Sequence, residues 1–116
     1  MIDTLLTEID DIVCSEYARA NKEHPAFASD HEGHDVLCEE VTEAVAEMEK
    51  VKMTIGPMAE AIRKNDQKAV ATIAKAAYNA AYHLAAEAVQ VAAMALKIQT
   101  SQKLREKTRW QPPFLK

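Results

Sequence analysis

Oxygen-bearing side chains recur in two short motifs, each inside a stretch with helical periodicity. One motif is Glu39-Glu40-Val41-Thr42-Glu43 and the other is Glu87-Ala88-Val89-Gln90. Residues three apart lie on one face of an α-helix, so each motif presents a pair of oxygen ligands on a single face. Two such helices side by side would direct these ligands to a common point, as helical bundles do when they hold hard cations. The spacing therefore predicts that four residues share a cation: Glu40, Glu43, Glu87 and Gln90.

Helical-wheel geometry places these polar groups at the edge of an apolar stripe on each helix. The apolar stripe of the earlier helix comprises Leu37, Val41, Ala44, Val45 and Met48. That of the later helix comprises Leu84, Ala88, Val91, Ala95 and Ile98, with His83 and Met94 beside Glu87 and Gln90 on its flank. Antiparallel packing of the two stripes would bring the polar edges together.

The alternative interpretation is that the glutamates are ordinary charged residues at the solvated edges of helices. We apply this interpretation to four of them: Glu39, Glu47, Glu49 and Glu60. A lone histidine near an apolar face is also more often structural than a ligand. His83 is therefore left open between a ligand, a neighbour of the ligands and a structural residue.

Composition predicts an all-α protein of one domain, residues 1–116. The chain has 116 residues, of which 48% are hydrophobic, and contains only 2 glycines and 4 prolines. Alanine is frequent between residues 69 and 95, which favours helix. A net charge of -4 argues against binding to a nucleic-acid polymer, because such proteins present basic surfaces. A phosphate ligand remains compatible with it, since a metal ion can supply positive charge locally.

Four helical segments are predicted, at about residues 4–21, 30–54, 58–64 and 67–102. Ser29 and Glu32 fit a capping box before the second segment, and Asp66 fits an N-cap before the fourth. Gly56-Pro57 is predicted to end the second segment. Residues 103–116 are predicted to form a basic tail that contains Pro112-Pro113.

Targeting signals and membrane spans are not expected. The first residues lack a basic region followed by an apolar one, and charged residues interrupt every long apolar run. Cys14 and Cys38 are predicted to be buried, reduced thiols. The expected location is the cytoplasm, without membrane association.

A second apolar surface on the long fourth segment predicts self-association. It comprises Tyr78, Tyr82, Val89, Ala93 and Leu96, well away from the main stripe. Four helices in 116 residues leave little chain to surround a helix that is apolar on two sides. We therefore expect a homo-oligomer, a dimer or a tetramer.

Three stretches together resemble one known family. They are Phe27-Ala28-Ser29-Asp30-His31-Glu32-Gly33-His34, then Leu37 to Glu43, then Glu87 to Ala95, which reads Glu-Ala-Val-Gln-Val-Ala-Ala-Met-Ala. Their order resembles the MazG-like proteins often encoded by bacteriophages, relatives of the all-α nucleotide pyrophosphohydrolases. The resemblance covers roughly residues 22–97, and it implies a four-helix-type bundle in the cytoplasm, or in the host cytoplasm for a phage protein.

The resemblance also implies a chemistry. In that superfamily, Glu-Glu-x-x-Glu on one helix and Glu-x-x-Asp on a later one hold Mg²⁺, with Mn²⁺ as a substitute. The ion binds a nucleoside triphosphate and activates water, which gives a nucleoside monophosphate and pyrophosphate. By this resemblance the catalytic and metal-binding residues are Glu40, Glu43 and Glu87, and Gln90 stands where the superfamily has aspartate. Candidates for contact with the nucleotide are Phe27, His31 and His83.

Three functions follow from these patterns. The first is a Mg²⁺-dependent nucleoside triphosphate pyrophosphohydrolase in which one of the carboxylates, Glu39 or Glu47 orients the water. The second is a protein that binds or sequesters a nucleotide or nucleotide-derived signal without turnover, because glutamine removes one negative charge from the metal site. The third is a helical structural module. A di-iron site is disfavoured because the Glu-x-x-His pairs that it uses do not occur here.

Overall fold

The computed structural model describes residues 2–109, and in that range it contains helices and no strand. The helices are α1 (Ile2–Glu23), α2 (Asp30–Lys52), α3 (Ile55–Arg63) and α4 (Gln67–Arg109). The prediction of an all-α protein is confirmed. None of these helices carries an apolar stretch long enough to traverse a bilayer.

Two predicted boundaries are corrected. Gly56-Pro57 lies in the first turn of α3 and does not end α2, which stops at Lys52. Proline fits a first helical turn because the N–H that it lacks has no intrahelical acceptor there. The fourth helix runs unbroken for 43 residues and passes the expected end at residue 102. The part of the predicted tail from residue 110 onward, with Pro112-Pro113, lies outside the described residues.

The predicted helix starts are explained by their capping hydrogen bonds. Ser29 Oγ accepts a hydrogen bond from the Glu32 N–H at 3.1 Å, while the Glu32 carboxylate accepts one from the Ala28 N–H at 3.3 Å. Asp66 Oδ1 accepts one from the Ala69 N–H at 3.0 Å, as expected of an N-cap. Asn65, just before it, has a φ of 54°, a left-handed conformation that asparagine tolerates.

The helices divide into two compact units. The first unit contains the chain up to Glu39 together with the chain from Val89 onward, and the second contains Glu40–Ala88. Both α2 and α4 therefore contribute one segment to each unit.

The core of the first unit lies around Phe27, which is 5% exposed. Phe27 packs with the buried residues Ala93 and Met94 of α4. Partly buried side chains surround this group: Val13, Tyr17, Ala20, Val36, Leu37 and Ile98. Ala93 is thus fully buried in this core, whereas the sequence placed it on the self-association surface.

Polar side chains of α4 fix the loop between α1 and α2. Lys97, which is 4% exposed, donates a hydrogen bond to the His24 carbonyl at 2.6 Å, and its Nζ lies 4.5 Å from the centre of the Phe27 ring. Ser101 Oγ accepts a hydrogen bond from the Phe27 N–H at 2.9 Å. Arg105 donates to the Phe27 carbonyl and pairs with Asp30. The loop backbone is held by side chains, so it needs no regular secondary structure of its own.

Gly33 of α2 permits a close approach to α4. A Cβ atom at this position would lie 2.7 Å from Ile98 Cγ1 and 3.1 Å from Phe27 Cδ2. Carbon atoms repel one another strongly at such distances, which are well below the optimum of about 3.5–4.0 Å. The glycine of the His-Glu-Gly motif therefore has a packing role in this unit.

In the second unit, α2 and α4 run antiparallel. Glu40 and Glu43 of α2 lie beside Glu87 of α4, while Thr54, after the end of α2, lies in the same groove as Ala76 of α4. The buried apolar residues of this unit are small, Ala61 and Ala80. Val41, Val45 and Met48 of the predicted α2 stripe are 42–54% exposed in the single chain.

The cysteine prediction is corrected. Cys14 and Cys38 are both exposed and free of disulfides. Val13 and Tyr17 of α1, and Val36 and Leu37 of α2, pack against the core, whereas the neighbouring thiols lie at the surface.

Candidate cation site

Three carboxylates of the second unit gather at one point. Glu40 and Glu43 project from α2, Glu87 projects from α4, and one oxygen from each lies within 4.8 Å of the other two. Glu40 and Glu87 are partly buried, whereas Glu43 is exposed. Packing of the two antiparallel helices positions them, because residues three apart on α2 share the face that meets α4. The structure thus brings together the three glutamates that the sequence singled out.

Glu87 stands out in this cluster because of the surroundings of one of its carboxylate oxygens. Its Oε2 atom is shielded from solvent and has no hydrogen-bond partner among the described residues. Burial raises the pKa of Glu87, and the neighbouring carboxylates of Glu43 and Glu47 raise it further. A shielded carboxylate oxygen without a partner is costly, so this atom is a suitable ligand for a cation.

The raised pKa of Glu87 predicts a pH effect in the absence of divalent ions. A folded-state pKa above the unfolded value of about 4.5 stabilises the fold fully below that value, and this contribution is lost as pH rises through the folded pKa. Glutamine cannot ionise, and its side chain has nearly the shape of a protonated glutamate. We therefore expect Glu87→Gln to have nearly the wild-type melting temperature at pH 4 and a higher one at pH 7.

Thermal melts in a chelator at several pH values check this expectation. The relevant quantity is the difference in melting temperature between Glu87→Gln and wild type, because the effects of the other titrating groups are the same in both proteins. A difference that is constant between pH 4 and pH 7 would contradict the repulsion that we assign to the cluster.

A groove of about 550 Å³ lies along the same pair of helices in the second unit. Its polar lining comes from Glu47, Lys50, Thr54, Asn79 and His83, and its remaining lining is Ala76 and Ala80. Since both Glu47 and His83 act electrostatically on Glu87, the groove lies close to the carboxylate cluster.

Lys50 is the charged residue of this region that the sequence did not single out. Lys50 Nζ pairs with Glu47 Oε1 at 3.1 Å, and the Glu47 side chain is only 19% exposed. The sequence left Glu47 open between a solvated edge residue and a group that orients the attacking water. Lys50 lies seven residues from Glu43, a spacing that repeats the helical face and could have identified it.

Gln90 is engaged elsewhere, within the first unit. Its side-chain amide donates a hydrogen bond to Glu16 Oε1 at 2.7 Å. The pKa of Glu16 is lowered mainly by a hydrogen bond from Arg19 and further by this one from Gln90. This contact gives the glutamine a structural role, and its predicted role as a cation ligand stays a prediction.

The three residues proposed to contact a nucleotide have different settings. His83 is exposed, lines the groove and packs against the Tyr82 ring in a T-shaped arrangement. His31 is exposed in the first turn of α2. The Phe27 ring is buried in the core of the first unit, so stacking on a base would require that core to open. Of the three, His83 is the residue placed beside the carboxylate cluster.

Comparisons with known proteins do not identify a family. No family model, no curated protein and no solved structure matches this chain.

Proposed function

We propose that the protein is a Mg²⁺-dependent nucleoside triphosphate pyrophosphohydrolase of MazG-like type. The observation that carries this proposal is the convergence of Glu40, Glu43 and Glu87 with a shielded, unpartnered oxygen on Glu87. The motif resemblance supports the substrate class, and the adjoining groove offers space for it.

The ligand atoms suit Mg²⁺, with Mn²⁺ as a substitute. All three are carboxylate oxygens, which hard divalent cations prefer, and no thiol or imidazole belongs to the cluster. Three protein ligands leave coordination positions for water and phosphate oxygens. When bound, the ion neutralises phosphate charge and lowers the pKa of coordinated water.

The residues of the chain then have separate tasks. Glu40, Glu43 and Glu87 hold the ion. Glu47, beside the cluster, accepts the proton of the attacking water. The water oxygen forms a bond to the α-phosphorus while the bond from this atom to the α,β-bridging oxygen breaks, which releases a nucleoside monophosphate and pyrophosphate.

A mixed panel of nucleotides incubated with the protein and Mg²⁺, followed by mass spectrometry, tests this proposal. Turnover would yield monophosphates from triphosphates, and turnover in ¹⁸O-labelled water would place the label on the monophosphate. Label on the pyrophosphate would exclude attack at the α-phosphorus. If the protein neither turned over nor retained any nucleotide, only the structural-module interpretation would remain.

Binding without turnover is a second candidate, and the Gln90–Glu16 hydrogen bond favours it. The superfamily places an aspartate where this chain has Gln90, and here the amide is a donor to another carboxylate. A site with one anionic ligand fewer binds cations more weakly, and a second ion is harder to hold. The same panel would then show a nucleotide that co-purifies intact.

We also propose that the chain forms a homo-oligomer, a dimer or a tetramer, of MazG-like helical bundles. Tyr78 and Tyr82 stack with ring centres 6.3 Å apart, yet they are 68% and 66% exposed in the single chain. A stripe of large aliphatic residues on α1 is also exposed: Ile2, Leu5, Leu6, Ile9 and Ile12. Monomers rarely expose large apolar patches to water.

Light scattering at micromolar concentration should therefore give two or four times the 12.9 kDa of one chain. Tyr78→Asp should lower that mass, since it places a charge within an apolar contact. A wild-type mass of one chain would contradict the proposal.

A further inference from the structure

The groove beside the carboxylate cluster has a definite order of polar groups. Moving away from Glu43, the lining residues are Glu47 and Lys50 of α2 and then Thr54 beyond the end of this helix. The facing residues of α4 are His83, Asn79 and Ala76. At a rise of about 1.5 Å per residue, the backbone of Lys50 lies about 10 Å from that of Glu43 along the helix axis. Anionic groups thus lie at one end and an ammonium group lies further along.

The Lys50 side chain leans back toward the cluster. Side chains of a helix tilt toward its N-terminus, which is the direction of Glu43 from Lys50. The ion pair joins Nζ to Oε1 of Glu47, a residue that lies about one helical turn nearer to the carboxylates than Lys50 does. The Lys50 side chain is nevertheless 62% exposed, so a ligand in the groove can reach it.

Charge balance in the groove requires such a cation if the ligand is a polyphosphate. The three carboxylates of Glu40, Glu43 and Glu87 more than neutralise a divalent ion, and Glu47 adds a further negative charge. A polyphosphate bound to that ion would carry uncompensated charge along the groove. Of the described residues that line the groove, Lys50 is the one with an ammonium group.

We propose that Lys50 binds the polyphosphate of a nucleotide whose other phosphate oxygens are held by the ion at Glu40, Glu43 and Glu87. This inference rests on the proposed function and extends it to the ligand. Binding exchanges the Lys50–Glu47 ion pair for a Lys50–phosphate contact.

The chain supplies a matched control two residues further along. Lys52 pairs with Glu49 at 3.3 Å in the same i,i+3 arrangement, and its side chain is 58% exposed. It does not belong to the groove lining. Lys50→Gln and Lys52→Gln therefore remove the same charge and the same kind of ion pair, one inside the groove and one outside.

Calorimetric titration of inorganic tripolyphosphate into the full chain with Mg²⁺ tests the proposal. We expect Lys50→Gln to weaken binding at least tenfold, Lys50→Arg to retain most of it, and Lys52→Gln to change it less than twofold. Equal losses for Lys50→Gln and Lys52→Gln, or no binding to wild type, would overturn the proposal. Free phosphate and pyrophosphate serve as shorter probes, and tighter binding of free phosphate would also overturn it.

A parallel titration with Mn²⁺ alone separates this proposal from the proposed function. Retained Mn²⁺ binding in every lysine variant, with no specific effect of Lys50→Gln on tripolyphosphate, would refute the Lys50 contact and leave the cation site intact. Failure of wild type to bind Mn²⁺ would refute the cation site. A Lys50-specific loss of tripolyphosphate binding would, even then, support the anion contact.

Discussion

Replacing Glu43 with glutamine should abolish the stabilisation of the fold by Mg²⁺. A ligand that binds only the folded state at 100 times its Kd adds about 2.7 kcal/mol of stability, which corresponds to about 10 °C in a domain of this size. Glu43→Gln removes one of the three carboxylates but keeps the shape of the side chain. Without the ion, the variant should melt at or slightly above the wild-type temperature, because repulsion with Glu87 is relieved.

Glu49→Gln is the control for this experiment. Glu49 lies on the same helix, pairs with Lys52 and is 57% exposed, outside the cluster. It should leave the response to Mg²⁺ in a thermal melt unchanged. If Mg²⁺ raised the melting temperature of Glu43→Gln as much as that of wild type, Glu43 would not be a ligand.

Replacing Phe27 with alanine should cause the largest loss of stability of any single truncation in the described core. Removal of a buried phenylalanine ring typically costs about 3–5 kcal/mol, because apolar contacts are lost and a cavity is left. Here the contact between the ring and Lys97 is lost as well. The Phe27 backbone can keep its hydrogen bonds to Ser101 and Arg105, so the substitution isolates the ring.

Urea unfolding of Phe27→Ala and Ile62→Ala provides the comparison. Ile62 is 59% exposed, and substitutions at exposed positions usually change stability by less than about 0.5 kcal/mol. Similar midpoints for the two variants would mean that Phe27 does not organise the core of the first unit.

The helices were largely predictable from the sequence because their start signals are local. Ser29 and Asp66 cap helices as their positions suggested. The buried face of α4 was harder to predict. The sequence favoured the stripe of Ala88 and Ala95, whereas the most buried residues are Ala93, Met94, Lys97 and Ser101. Lysine and serine count as polar in a helical wheel, yet here a loop carbonyl, an aromatic face and a backbone N–H satisfy them.

The candidate site, like the helices, could be predicted from the sequence only in part. Convergence of Glu40, Glu43 and Glu87 could be predicted because helical spacing sets which residues share a face. The hydrogen bond between Gln90 and Glu16 could not, since it joins residues 74 positions apart. The groove beyond the carboxylates depends on the small residues Ala76 and Ala80 of α4. The space that they leave could not be predicted, because it exists only where α2 packs beside them.

Titration of the full chain with Mn²⁺, followed by the electron paramagnetic resonance signal of the free ion, tests the cation site most directly. We predict that wild type binds the ion with saturable stoichiometry and that Mg²⁺ competes for the same site. Glu43→Gln and Glu87→Gln should each lose this binding, whereas Glu49→Gln should retain it. A wild-type protein that leaves all Mn²⁺ free at millimolar concentration would contradict the account.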